Sequence, residues 1–324
     1  MDGTSPMTQG VSTLRVAARR EEAEDVVVLD LAAPDGSPLP PFEAGAHIDL
    51  HLPGGFIRQY SLCNAPSERN RYQIAVLREP ASRGGSVALH EQVGADDILT
   101  VGGPRNQFPL VADAPAILLA GGIGITPLMA MSEQLATDGT DFALHYCSRD
   151  PARTVFAKRL AAAPFADRVR LHHSTQQRLD LADALAEATP ETHLYVCGPQ
   201  RFIEAARDTA FALGWPDDQV HFEHFAAGAV VPEAGDEPFE VEIASTGAVL
   251  PVPVGSTVLQ VLAEHGIAVT SSCEQGICGS CLTSVQDGEP DHRDHFLSDT
   301  EKAANNQFLP CCSRALGPRL VLDL

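Results

Sequence analysis

Four cysteines restrict this chain more than any other feature of its sequence. Cys273, Cys278 and Cys281 lie in S-S-C-E-Q-G-I-C-G-S-C, and Cys311 follows after 29 intervening residues, giving C-x4-C-x2-C-x29-C. This is the plant-type spacing for a [2Fe–2S] cluster, in which a short loop wraps an iron pair through thiolates. Gly276 and Gly279 let such a loop turn tightly and aim N–H groups at the sulfurs. A structural zinc site is the alternative, but zinc ribbons usually pair two short knuckles, whereas here one uneven trio joins a distant single cysteine. Cys312 offers a second candidate for the fourth ligand, and His292 and His295 also have a metal-like spacing.

The 324 residues suggest two or three domains at roughly 100–200 residues each. Lys plus Arg number 22 against 43 Asp plus Glu, a formal charge of −21. That balance argues against binding nucleic acid through its phosphates and against docking on anionic lipid, while a basic protein partner stays compatible with it. Hydrophobic residues at 44% and charged residues at 20% are an ordinary globular mix, so the chain is not an acidic disordered one. Met1 to Gly10 holds no apolar run, which predicts no secretory leader, a cytoplasmic location and thiols used for metal or catalysis rather than disulfides. Ala114 to Ser132 contains 19 uncharged residues, about the length of a membrane span. Pro127 and the glycines at 121, 122 and 124 would break such a helix, so the stretch predicts a folded core.

Short apolar runs separated by turns fill the first hundred residues: Val26 to Leu31, Ile48 to Leu52, Tyr60 to Asn64, Tyr72 to Leu77 and Ile98 to Val101. They predict a β-barrel or sandwich. From Ala116 the texture becomes strand then helix: Ile117 to Ala120 before Leu128 to Ala136, Phe142 to Cys147 before Thr154 to Ala162, and His193 to Cys197 before Phe202 to Leu213. Such alternation predicts a parallel sheet. Residues 226–238 have a linker composition. Beyond them, Phe239 to Ile243 and Val249 to Val254 read as a hairpin, followed by a helix capped by Ser256 or Thr257 and then the cysteine loop. Residues 239–324 carry a net charge of −7.

Four further motifs have a physical reading of their own. Arg58-Gln59-Tyr60-Ser61-Leu62 ends a strand, and Arg83-Gly84-Gly85-Ser86 leads into a helical stretch, Val87 to Val93. Small residues at a helix start expose N–H groups that cradle phosphate, and an Arg fork binds two oxygens at once. Each alone also reads as a loop or a solvated strand face. Ala120-Gly121-Gly122-Ile123-Gly124-Ile125-Thr126-Pro127 follows a buried strand and opens a helix, as pyrophosphate loops do, but Thr126-Pro127 replaces the third glycine of the Rossmann pattern. Cys147-Ser148-Arg149 ends a strand where an adenosine ribose would lie; Arg149 could hold a 2′-phosphate and so favour NADPH.

These motifs, with P-D-H-R-D-H-F-L-S and C-C-S-R-A near the C-terminus, resemble the phthalate dioxygenase reductase family from about Val11 to Leu324. The resemblance implies a multidomain fold: an antiparallel β-barrel flavin domain (1–110), an α/β parallel-sheet nucleotide domain (111–228), a linker (229–238) and a C-terminal β-grasp ferredoxin domain (239–324). It implies FMN held by Arg58, Tyr60, Ser61, Leu62, Ala75, Leu77, Arg78, Gly84, Gly85, Ser86 and Phe225. Arg78 is a modest departure, since Lys is frequent there in the family. The pyridine nucleotide would meet Gly121, Gly122, Gly124, Thr126, Pro127, Ser148, Arg149, Cys197, Gly198 and Pro199, with NADH favoured over NADPH. Ser61 and Cys197 would flank the hydride transfer. Matched to the family, Cys311 is the fourth cluster ligand beside Cys273, Cys278 and Cys281, while Cys63, Cys147 and Cys312 are packing residues and the two histidines are loop residues.

Such a protein would be the reductase component of a Rieske-type non-haem iron oxygenase that acts on an aromatic compound. The alternative is a flavin and iron–sulfur redox sensor without a dedicated acceptor. The ligand assignment predicts that Cys311→Ser abolishes the cluster's visible absorbance while Cys312→Ser retains it; the reverse pattern would exchange the two roles.

Overall fold

The computed structural model describes residues 11–79, 84–176, 178–186, 188–225, 235–271, 274, 276–277 and 279–324. The chain divides into two units, Met1–Phe225 and Ala226–Leu324.

In the first unit, period-2 apolar patterning produces an antiparallel sheet. Its strands are β1 (Ser12–Ala23), β2 (Val26–Ala32), β3 (Ala46–Leu52), β4 (Phe56–Ser61), β5 (Tyr72–Leu77) and β6 (Ile98–Asn106), in the order β4-β3-β6-β1-β2-β5. The edge strands β4 and β5 approach each other, curling the sheet around a core that includes Val27, Leu29, Leu31, Ile48, Leu50 and Ile74. Helix α1 (Gly85–Gln92) lies between β5 and β6. The run Val26 to Leu31 is buried throughout because both faces of β2 are covered. Val27 and Leu29 point into the sheet's own core, while Val26 and Val28 join the core of the nucleotide layer.

That layer is a parallel sheet of β7 (Ala116–Gly121), β8 (Phe142–Ser148), β9 (Val169–His173), β10 (His193–Cys197) and β11 (Val220–Glu223), ordered β11-β10-β7-β8-β9. Its helices are α2 (Ile125–Asp138), α3 (Ala157–Ala162), α4 (Leu181–Leu185) and α5 (Gln200–Ala212). The uncharged stretch from Ala114 is therefore strand β7, a glycine turn and the buried start of α2. No helix among the described residues is long and apolar enough to cross a membrane.

Arg159 of α3 ties the two sheets together: it donates to Cys63 O and Gln73 Oε1 at 2.9 Å each, and pairs with Glu133 of α2 at 2.9 Å. Nearby, Glu22 accepts from Phe156 N (3.2 Å) and Glu24 pairs with Arg153.

The second unit packs helix α6 (Val258–Glu264) on a mixed sheet, ordered β13-β12-β18-β14-β16. These strands are β12 (Phe239–Ile243), β13 (Ala248–Val252), β14 (Thr283–Asp287), β16 (Gln307–Phe308) and β18 (Arg319–Leu322). A small ladder joins β15 (Pro290–Asp291) to β17 (Arg314–Ala315), and α7 (Asp299–Ala304) precedes β16. Thr257 caps α6 through a capping box with Gln260, as Ser298 caps α7 with Glu301.

At the start of this unit Asp236 is clamped by two arginines. Arg293 Nη2 donates to Asp236 Oδ1 at 2.6 Å, Arg314 Nε lies 3.8 Å from Oδ2, and Arg314 Nη2 donates to Glu237 O at 3.0 Å. All three side chains are largely buried. Asp236→Ala would take a buried carboxylate away from two guanidinium groups, leaving Arg293 with Asp291 and Arg314 with backbone carbonyls, at a cost of about 1.5–3 kcal/mol. Denaturant unfolding of the holoprotein, followed by loss of visible absorbance, should show the lower midpoint.

Candidate functional site

The site is built where backbone meets backbone. After β7 the chain makes one 3-10 turn through Gly122–Gly124 and enters α2, whose first N–H groups have no side-chain cap. A Cβ on Gly124 would lie 2.2 Å from Cys197 O and 2.7 Å from Gly198 N. One on Gly121 would lie 2.9 Å from Pro199 Cδ, and one on Gly198 2.9 Å from Gly121 Cα. No side chain fits between these loops, so the two motifs A-G-G-I-G-I-T-P and C-G-P meet at the carboxyl ends of β7 and β10. In an open parallel sheet that is where ligands bind. Uncapped N–H groups at the start of α2, with Pro127 in its first turn, fit a pyrophosphate. Thr126 Oγ1 donates to Ile123 O at 3.0 Å and braces the turn.

Parallel register sets Cys197 of β10 beside both Ala120 of β7 and Glu223 of β11. Burial, and secondarily Glu223, pushes the Cys197 thiol well above its ordinary range, so it stays protonated and offers a contact surface rather than a nucleophile. Glu223 is part-buried as a residue, but desolvation of its carboxyl pushes its pKa up to about 8. Ser61 Oγ, at the end of β4, donates to Glu223 Oε2 at 3.4 Å. Ser61, Cys197 and Glu223 thus bring the antiparallel and parallel sheets to one point. Glu223 was missed from sequence; the signal available was an acid at a strand end two residues before Phe225.

On the antiparallel side Arg58 lies across the start of α1. A Cβ on Gly85 would fall 2.7 Å from Arg58 Cγ and 2.8 Å from Nε, so a side chain there would displace Arg58 from its position. The first turn of α1 has no side-chain cap and its N-cap, Gly84, has φ 92°. A guanidinium beside a helix N-terminus is a donor set that fits a phosphate, and so fits FMN. Arg58 also donates to Ile57 O (2.8 Å) and lies over the Phe56 ring. Burial pushes the Tyr60 phenol upward. Leu62 and Ala75 are buried, and Leu77 is part-buried. Arg78 pairs with Glu91 at 2.6 Å, and Ser86 Oγ accepts from Glu79 N at 3.1 Å. Phe225 is 38% exposed.

Ser148 and Arg149 separate at the end of β8. The Ser148 hydroxyl is buried against Thr154 Oγ1 (2.8 Å), whereas Arg149 is exposed.

In the second unit Cys281 and Cys311 are buried, and Gly276 N–H donates to Cys311 Sγ at 3.2 Å. Gly276 and Gly279 have φ of +73° and +67°; a Cβ would lie 2.5 Å from Cys312 Sγ in the first case and 2.2 Å from the Phe296 ring in the second. A buried thiol receiving a backbone N–H, in a loop closed around glycines, suits a thiolate-ligated cluster. Cys273 and Cys278 lie outside the described residues, as does Arg83. His292 is engaged with Asn305 Oδ1 (3.3 Å) and Asp294 Oδ1 (3.6 Å).

A flavin-type barrel, a parallel nucleotide sheet and a ferredoxin unit define an iron–sulfur flavoprotein oxidoreductase. Residues 118–208 match the oxidoreductase NAD-binding domain, and residues 241–316 match the 2Fe-2S iron-sulfur cluster binding domain. The chain belongs to the phthalate dioxygenase reductase family. It is 52% identical over 313 residues to a vanillate O-demethylase oxidoreductase of Pseudomonas sp. (strain HR199 / DSM 7063), covering 95% of this chain and 98% of the relative. Identity to the phthalate dioxygenase reductase of Burkholderia cepacia is 41% over 327 residues, covering 99% and 100%. A solved phthalate dioxygenase reductase, described as a modular structure for electron transfer from pyridine nucleotides to [2Fe-2S], superposes with a TM-score of 0.77 at 40% identity, covering 97% and 98%.

A carboxyl with a raised pKa destabilises the fold as pH rises. Between about 4.5 and about 8 the unfolded chain has released the Glu223 proton and the folded chain has not, so stability falls across that window and levels off above it. Glu223→Gln should flatten this slope in thermal unfolding of flavin-free protein, gaining most over the parent near pH 8.

Proposed function

We propose that this chain is the NADH-dependent reductase component of a two-component Rieske-type oxygenase acting on an aromatic acid or a similar small compound, and that it works in the cytoplasm. The meeting of Ser61, Cys197 and Glu223 at the junction of the two sheets carries this reading. It is divided as 1–110 for the flavin, 111–228 for the nucleotide, 229–238 as linker and 239–324 for the cluster.

When bound, the nicotinamide supplies a hydride, the flavin divides the electron pair, and the cluster passes single electrons on. The chain's own residues bind and orient. Arg58 and the start of α1, with Gly84, Gly85 and Ser86, hold the FMN phosphate. Tyr60, Ser61, Leu62, Ala75, Leu77, Arg78 and Phe225 surround the rest of it. The turn Gly121, Gly122, Gly124 with Thr126 and Pro127 holds the pyrophosphate, and Ser148 and Arg149 lie toward the adenosine. Cys197, Gly198 and Pro199 back the nicotinamide. Cys273, Cys278, Cys281 and Cys311 ligate the cluster. Holding the two rings against each other accounts for most of the catalysis, because the cofactors carry the chemistry.

Relatives whose names include vanillate O-demethylase, phthalate dioxygenase and carnitine monooxygenase support an oxygenase as the acceptor. Mixed with NADH, the purified protein should bleach flavin and cluster together and reduce cytochrome c; a cluster that stays oxidised under excess NADH and NADPH would overturn the reading. Arg58→Ala should weaken FMN binding by about 1.5–3 kcal/mol, read as flavin released on dilution.

A further inference from the structure

Oxidising NADH to NAD⁺ with one-electron acceptors releases two electrons and one proton. A cluster takes only the electrons, so the proton leaves the flavin edge by another route. Glu223 is already protonated at neutral pH and is no acceptor for it.

The other side of Ser61 holds an unused polar patch. On β3, His47 stands opposite Ser61 of β4 and opposite Arg105 of β6, and Asp49 stands opposite Gln59. Directly paired residues share a face of the sheet, so these five side chains lie together. His47 is 3% exposed. Its Nε2, Asp49 Oδ1 and Gln59 Nε2 are buried and have no hydrogen-bond partner. Burying polar groups without partners is costly, and in folded proteins an ordered water commonly satisfies them. Arg105 Nη2 holds Asp49 Oδ2 at 2.6 Å, which leaves Oδ1 for the patch. Further along the same face His51 is part-buried, so the row 47, 49, 51 runs outward along β3.

We propose that His47, with Asp49 and Gln59, holds a buried water through which the proton passes from Ser61 to solvent, His47 being the group that relays it. The proton released as electrons pass to the cluster moves through the Ser61 hydroxyl and the water to His47, then past Asp49 and His51; no other reactant is consumed. The charged groups facing His47 are Arg105 from β6 and Asp49 from its own strand. Burial first, then Arg105, pushes the His47 pKa down to about 4, so the ring is neutral at rest and carries the proton only in passing.

The inference rests on the flavin lying beside Ser61, and the test separates the two ideas. In rapid mixing of holoenzyme with NADH, His47→Gln keeps a hydrogen-bonding side chain that cannot take up a proton. It should retain FMN and reduce it within twofold of the parent rate, yet transfer electrons to the cluster at least tenfold more slowly, with a larger solvent deuterium effect and partial rescue by added imidazole. Unchanged transfer and isotope effect would overturn the relay, as would equal slowing of both steps without rescue. Flavin lost from the parent under the same conditions would instead fail the placement itself. Independently of turnover, a crystal structure of the oxidised holoenzyme should show a water within hydrogen-bond reach of His47 Nε2 and Asp49 Oδ1; a dry patch would overturn the proposal.

Discussion

Two loops that touch through their backbones hold the candidate site in place. Gly124 lies against the Cys197 carbonyl with no room for a methyl group, and Gly121 lies likewise against Gly198 and Pro199. This contact fixes the start of α2 relative to the end of β10 and thereby the position of Cys197. The parallel register then carries Glu223 to the same level. A bulkier residue at 124 would push the β10 loop outward and move the site as a whole.

The second constraint is the union of the two sheets. Val26, Val28 and Ala75 of the antiparallel sheet, with Ala44 in the turn before β3, share a core with Leu128, Met129 and Met131 of α2. Arg159 gives that packing a direction through carbonyl, amide and carboxylate partners. Ser61 meets Glu223 across this interface, so the candidate site depends on packing some distance away from it.

Much of this was legible in the sequence. Tyr72–Leu77, His193–Cys197 and Phe239–Ile243 read as strands with their observed ends, because β-branched and aromatic runs lie there between turn residues. Strand β1 was not legible: Arg15 to Ala23 is rich in charge, and the strand holds through its pairing with β2 and β6, with bulges that break any alternation. The strand expected at Tyr60 to Asn64 instead runs Phe56–Ser61, since Gly54 and Gly55 turn the chain earlier than the apolar run suggests. Glu223 and His47 were equally hidden, as a lone acid and a lone histidine look like surface residues until their neighbours are known.

By itself the sequence determined the cofactor chemistry. Thiol spacing, glycine turns and an Arg-x-Tyr-Ser strand end are local requirements, met within a few residues of chain, and a linear pattern records them. Only the tertiary structure decided which titratable groups share a site, because protonation follows burial and cross-strand neighbours. Glu223 keeps its proton and His47 stays neutral through contacts made by residues far apart in the chain, and such contacts leave no spacing to read.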